Sequence, residues 1–304
     1  MFYQNAGWDG DFFTVYACLA VQPELCLGVC SYLFDALDFG NKTACHDGGF
    51  FGAYSNQEGK EPNDYKEFGL LFSRLFRSQF ISFMGNIGAV FPLTILFFYL
   101  LTHFLGFEVI DTHKALEFKD ELITWDWKIF YFSAIAGVFL FLSGMISGMT
   151  ENYNHYNKIP ERIFNHPLLK RFAKEKNRKK FAHWYDRRMG GIIGNAFLGI
   201  CLGCAFLIGE FMGVPFDIRH ITFSAGNYAL ALCHFKFDIT WRAFLVGFAA
   251  VFSIGIINFL VSFSLSLWVA MKSVNIPTKE IGKILYSTLK LFIKNPVRFF
   301  IPVK

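Results

Sequence analysis

Four long apolar runs set the pattern of this chain. Phe80 to Phe107, Ile129 to Met149, Gly190 to Val214 and Phe244 to Met271 carry no acidic or basic side chain apart from His103 and Glu210. About 20 consecutive apolar residues cross a bilayer as a helix, so each run predicts one membrane span. The first and last are 28 residues long, roughly 42 Å of helix, which predicts tilt or overhang at the interface. A shorter run, GVPFDIRHITFSAGNYALALCHF at 213–235, is too short to span after its charged turn yet apolar enough to enter the bilayer. It reads as a re-entrant or interfacial segment. The stretch PERIFNHPLLKRF predicts an amphipathic helix on the membrane surface, with Pro160 in its first turn and Phe164, Leu168 and Phe172 on one face. Pro167 predicts a kink or restart inside it.

Composition agrees with spans rather than with a soluble core. Of 304 residues, 54% are hydrophobic and 19% aromatic, while only 17% are charged, and mean hydropathy is +0.36. Soluble domains carry about 25% charged residues. The expected class is therefore an all-α integral membrane protein.

Charge then orients the spans. The connection 150–189 holds eleven Lys or Arg against four Asp or Glu, and the tail from Lys272 holds seven against one. The connection 108–128 holds three against six, and 215–243 three against two. Basic and non-basic segments alternate, as the positive-inside rule requires for four spans with both ends in the cytoplasm of a bacterial inner membrane. The segment 150–189 is then a basic cytoplasmic loop, and 272–304 a cytoplasmic tail.

Within that loop, Lys170, Arg171, Lys174, Lys176, Arg178, Lys179, Lys180, Arg187 and Arg188 are interleaved with Phe172, Phe181 and Trp184. Two readings fit. One is binding to DNA or to anionic lipid; the other is a topology determinant whose side chains snorkel to the headgroups. The bilayer is the expected partner, with anionic lipid at this loop and DNA as the rival.

Polar residues inside the spans mark a candidate site. Asn86, Asn195 and Asn258 each need a partner in hydrocarbon and so are expected to face other helices. Asp217, Arg219 and His220 lie beside the short apolar segment, as a turn held by an Asp–Arg pair or as part of a site. Together these six residues form the candidate polar intramembrane site. Arg74 and Arg77 before Gly85-Asn86 echo Arg187 and Arg188 before Gly194-Asn195, the layout of a parallel repeat, with close helix packing through Gly190, Gly191 and Gly194 as the simpler reading.

The blocks FGLLFSRLFRSQFISFMGN, DRRMGGIIGNAFLGICLG, GVPFDIRHITFSAGN and GIINFLVSFSLSLWVAMKS together resemble the bacterial multi-spanning membrane proteins called the site-specific recombinase family, over roughly Tyr65 to Val303. The resemblance implies DNA recombination by name, but no catalytic motif accompanies it. A tyrosine recombinase needs a Tyr nucleophile, two Arg and an HxxR element around the scissile phosphate. Here His183, Tyr185 and Arg187 have HxxxR spacing. Ser73 and Ser78, beside Arg74 and Arg77, stand at the mouth of a span. No Gly-rich phosphate loop or HExxH is present, and Cys201 and Cys204 sit inside a span as packing residues. No catalytic residue, metal ligand or cofactor is assigned.

Residues 1–64 form a separate, poorly patterned segment. They hold four of the seven cysteines, and their apolar run is broken by Gln22, Pro23, Glu24, Asp35 and Asp38. Read one base later, the codons of GNKTACHDGGFFGA can spell ATKQPAMTAAFLA, which resembles a TKQPAMT motif of the same family. The expectation is that residues 1 to about 60 are out of frame and that the native protein is longer at its N-terminus. Genomic DNA read in three frames tests it.

Overall fold

The computed structural model describes residues 65–123, 126–213, 218–273 and 278–300. Residues 1–64, on which the reading-frame expectation rests, lie outside them. The described residues are helical and contain no strand. In chain order the helices are α1 (Tyr65–Phe104), α2 (Thr112–Ile123), α3 (Trp127–Tyr156), α4 (Ile159–Asn165), α5 (Pro167–Phe172), α6 (Glu175–Met212), α7 (Ile221–His234), α8 (Trp241–Ser273), α9 (Thr278–Lys294) and α10 (Val297–Phe300). Four of them, α1, α3, α6 and α8, are long and apolar enough to cross a membrane. The protein is an all-α membrane protein.

The spanning helices run past the apolar runs that announced them. α6 has 38 residues, about 57 Å of helix against a hydrocarbon core of about 30 Å. Its first turns take in Lys176, Arg178, Lys179, Lys180, Arg187 and Arg188. Much of the expected loop 150–189 is therefore helix: α3 continues to Tyr156, and α6 starts at Glu175. The reason is local, because Lys, Arg, Ala and Glu favour helix and no Gly or Pro intervenes between Glu175 and Gly190. The ends are set by backbone that only flexible residues adopt easily. Gly213 follows α6 with φ of +64°, and Gly106 follows α1 with φ of +66°.

Between α3 and α6 the surface segment breaks as Pro167 required. His166 is extended, α4 ends before it and α5 restarts at Pro167. The single amphipathic face is thereby split, with Leu168 and Phe172 exposed on α5 and Phe164 half-buried on α4. The connection 108–128, read from sequence as a loop, contains α2. Asp111 caps it by accepting from the Lys114 amide at 2.7 Å, and Ala115, Phe118 and Leu122 form its buried stripe at i, i+3 and i+7.

The described residues fall into two compact units. One comprises 79–138 and 202–262, the other 65–78, 139–201 and 263–300. The first unit is built around α7. Ten of its fourteen residues are buried, so this helix is packed on nearly every side, although at about 21 Å it is too short to cross a bilayer. Ile221, Ala225, Tyr228 and Leu232 form a core with Phe83 of α1 and Ala250, Val251 and Ile254 of α8, while Ala231 packs with Ile110, Ala115 and Phe118. Two glycines let α8 approach closely. A Cβ at Gly247 would meet the Tyr228 ring at 2.5 Å, and one at Gly255 would overlap the side chains of Ile221 and Phe83.

In the second unit, α3 and α6 meet through Gly194, where a Cβ would stand 3.0 Å from the Ser143 carbonyl. Ser143 Oγ donates to the Gly194 carbonyl at 2.7 Å. Gly190 faces the side chain of Glu151, and Gly191 has open space beside it. The same unit holds an aromatic cluster, in which Phe72 and Phe76 of α1 and Phe263 of α8 meet Phe299 and Phe300 of α10 and Phe292 of α9.

Candidate functional site

The polar centre of the first unit is Asn258 on α8, 1% exposed. Its Oδ1 accepts from the Ile221 amide at 3.0 Å. Its Nδ2 donates to the Ser133 carbonyl of α3 at 2.7 Å and to the Arg219 carbonyl at 3.1 Å. One side-chain amide thus joins α8, α3 and the turn that opens α7. Gly137, one turn after Ser133, makes room for this contact, since a Cβ there would lie 2.7 Å from Val261 Cβ and 2.9 Å from the Asn258 carbonyl.

The turn itself is held by α2. Arg219 donates to Glu121 at 2.8 Å, with the two side chains 13% and 32% exposed. Sequence reasoning named Arg219 but not Glu121, because 98 residues separate them. Asp217, the acid expected beside Arg219, lies outside the described residues.

His220 is the N-cap of α7. It is 2% exposed, and its Nδ1 accepts from the Thr222 amide at 3.3 Å. That bond fixes the tautomer, placing the proton on Nε2. Burial pushes the imidazole pKa down to about 4, so the ring is neutral at physiological pH. Among the described residues neither Nε2 of His220 nor Oγ1 of Thr222, which is fully buried, meets a hydrogen-bond partner. Two polar atoms without a partner among the described residues therefore lie within three residues of each other at the mouth of α7.

Of the expected polar site, Arg219, His220 and Asn258 come together at this mouth, joined by Ser133, Glu121 and Thr222. Asn86 is half-buried on α1 in the same unit, and Asn195 is half-buried on α6 in the other. Ser133 and Glu121 carried a sequence signal too weak to find them: a hydroxyl in an apolar run and an acid in a charged one.

A family model described as site-specific recombinase matches residues 53–302. The chain belongs to that family. Searches of curated proteins and of solved structures return no match.

The recombinase-family name can be set against the basic segment. His183, Tyr185 and Arg187 all lie on α6. At 3.6 residues per turn, residues two apart point to nearly opposite sides, so Tyr185 shares no face with the His183–Arg187 pair. Arg178 ties α6 to α4, because its guanidinium stands 5.0 Å over the Phe164 ring and donates to the Phe164 carbonyl at 3.1 Å. Lys170, Arg171, Lys174, Lys176, Lys179, Lys180 and Arg187 are exposed, and Arg188 is half-buried. Phe181 and Trp184 stack at 5.8 Å with about half of each ring residue exposed. The exposed surface thus pairs cationic heads with apolar rings.

Proposed function

We propose that this recombinase-family member works inside the bacterial inner membrane as a multi-pass scaffold or transport-related protein, with both termini in the cytoplasm. Its polar site is the mouth of α7. The observation that carries the reading is the convergence of Asn258, Arg219 and His220, with two buried polar atoms that meet no partner among the described residues beside a helix start. Intramembrane polar groups of this kind are retained at a cost and mark functional positions.

The basic segment has a supporting role in this reading. Its lysines lie at the start of a spanning helix next to exposed Leu168, Phe172, Phe181 and Trp184, the combination that sits in an anionic headgroup layer. Action on DNA is the second reading, and the same exposed cations with the stacked Phe181–Trp184 pair support it. Detergent-purified protein titrated with duplex DNA and with anionic vesicles across a salt series separates the two. Binding confined to low salt and equal for duplex and vesicles is expected. Saturable duplex binding near physiological salt, tighter than to vesicles, overturns the membrane reading.

A further inference from the structure

The tail after the last span is not a featureless cytoplasmic end. α9 runs for 17 residues, and its two faces differ. One face is docked on the second unit: Thr288 is 4% exposed, and the Phe292 ring packs on Phe299 at 5.1 Å, which in turn contacts Phe76 at 6.1 Å. The opposite face is open and carries two parallel strips. Tyr286, Leu289 and Ile293, at i, i+3 and i+7, are 69%, 56% and 72% exposed. Lys283, Lys290 and Lys294, at i, i+7 and i+11, are exposed alongside them.

We propose that α9 is an in-plane membrane anchor whose open face lies in the headgroup layer of an anionic bilayer. Continuity with the spans places it there. The apolar run of α8 ends at Met271, the helix stops at Ser273, and only four residues lead to Thr278. The five steps from Ser273 to Thr278 reach at most about 18 Å, and the headgroup region on each side is roughly 7 Å deep. α9 therefore begins within reach of that layer. The aromatic cluster fixes its rotation, because Phe292 and Phe299 turn the Thr288 side toward α1 and leave the Leu289 strip facing away. Charge selects the occupant. An anionic bilayer accepts both strips: the apolar one enters the acyl boundary and the ammonium groups reach the phosphates. The inference rests on the membrane spans and on the packing and charge of α9, and is independent of the α7 site.

The test uses the full chain in nanodiscs of phosphatidylcholine with one quarter phosphatidylglycerol. Spin labels go at Leu289→Cys and Ile293→Cys in a background with the seven native cysteines replaced. Reference labels are Leu260→Cys in α8 and Glu161→Cys in α4. At 289 and 293, accessibility to oxygen over a water-soluble nickel chelate is expected to fall between the two references. Labels as open to nickel as the one at 161, or shielded from both reagents as against a protein partner or a second copy, overturn the proposal. A second measurement keeps the native cysteines. The variant K283Q/K290Q/K294Q is expected to lose part of the wild type's preference for phosphatidylglycerol over phosphatidylcholine among co-purifying lipids, the basic segment 150–189 retaining the rest. Unchanged lipid preference overturns it as well.

Discussion

Asn258 Oδ1 stands 3.0 Å from the backbone nitrogen of Ile221, so a side chain on the last spanning helix supplies the acceptor that the first turn of α7 needs. The first amide groups of any helix lack intrahelical acceptors, and in an apolar surrounding each orphan is expensive. Asn258 answers one of them and also satisfies two carbonyls. Asn258→Ala is expected to destabilise the detergent-solubilised protein by about 2–4 kcal/mol in thermal unfolding. Asn86→Ala and Asn195→Ala should each fall within about 1 kcal/mol of wild type. Equal effects at all three positions would remove Asn258 from its central place.

The close approach of α3 and α8 at Gly137 leads to a second expectation. Alanine there meets a rigid β-carbon and a backbone oxygen, neither of which can swing aside. Gly137→Ala should cost about 1–3 kcal/mol. Gly144→Ala, on the same helix with open space beside it, should be neutral or gain up to about 1 kcal/mol. Melting curves of the two variants make the comparison.

For His220 the sign of the pH dependence follows from its lowered pKa of about 4, against an ordinary value of about 6.5. Between those values the unfolded chain binds the proton and the folded one does not. Stability from this group is therefore complete above about pH 6.5 and is lost as pH falls toward 4, by up to about 3 kcal/mol. His220→Gln should flatten that part of the stability profile. A slope that survives the substitution would belong to another group.

Glu121 and Arg219 form a pair with little exposure on the arginine side. Glu121→Gln is expected to lower stability by about 1–2 kcal/mol, and Arg219→Gln by a similar amount. The double variant should lose less than the sum, and a double-mutant cycle reads the coupling. Additive losses would mean that the contact does not stabilise the turn.

Arg178 and Lys179 are neighbours in sequence that face different surroundings. Arg178→Ala removes the contacts to Phe164 and should cost about 1–2 kcal/mol, while Lys179→Ala should change stability by less than about 0.5 kcal/mol. Binding of anionic vesicles should respond in the reverse order, with the exposed lysine mattering more.

What was readable in the sequence depended on how many residues carried each signal. The spans at α1, α3, α6 and α8 each rest on twenty or more apolar residues, and no alternative competes for such a run. The restart at Pro167 was readable because one residue enforces it. α2 and α9 were not, since each hides a few apolar positions among lysines and acids, and charge counting along a connection averages that period away. The α7 mouth was half readable. Polarity in an apolar setting singled out Asn258, Arg219 and His220, but their partners are carbonyls and an acid on distant helices. Only the packing of α3 and α8 through Gly137, and of α2 against α7, decides those.

Tyr228 gives the short helix a second attachment. Its hydroxyl donates to the Phe244 carbonyl at 3.0 Å, and its ring fills the place a side chain at Gly247 would take, while Asn258 holds the start of α7 eleven residues further along α8. Fastened to one spanning helix at its start and, two turns on, at its middle, α7 is held against α8 over its first half. If the mouth at His220 opens, the first two turns of α7 must move with the stretch of α8 from Gly247 to Asn258 as one piece.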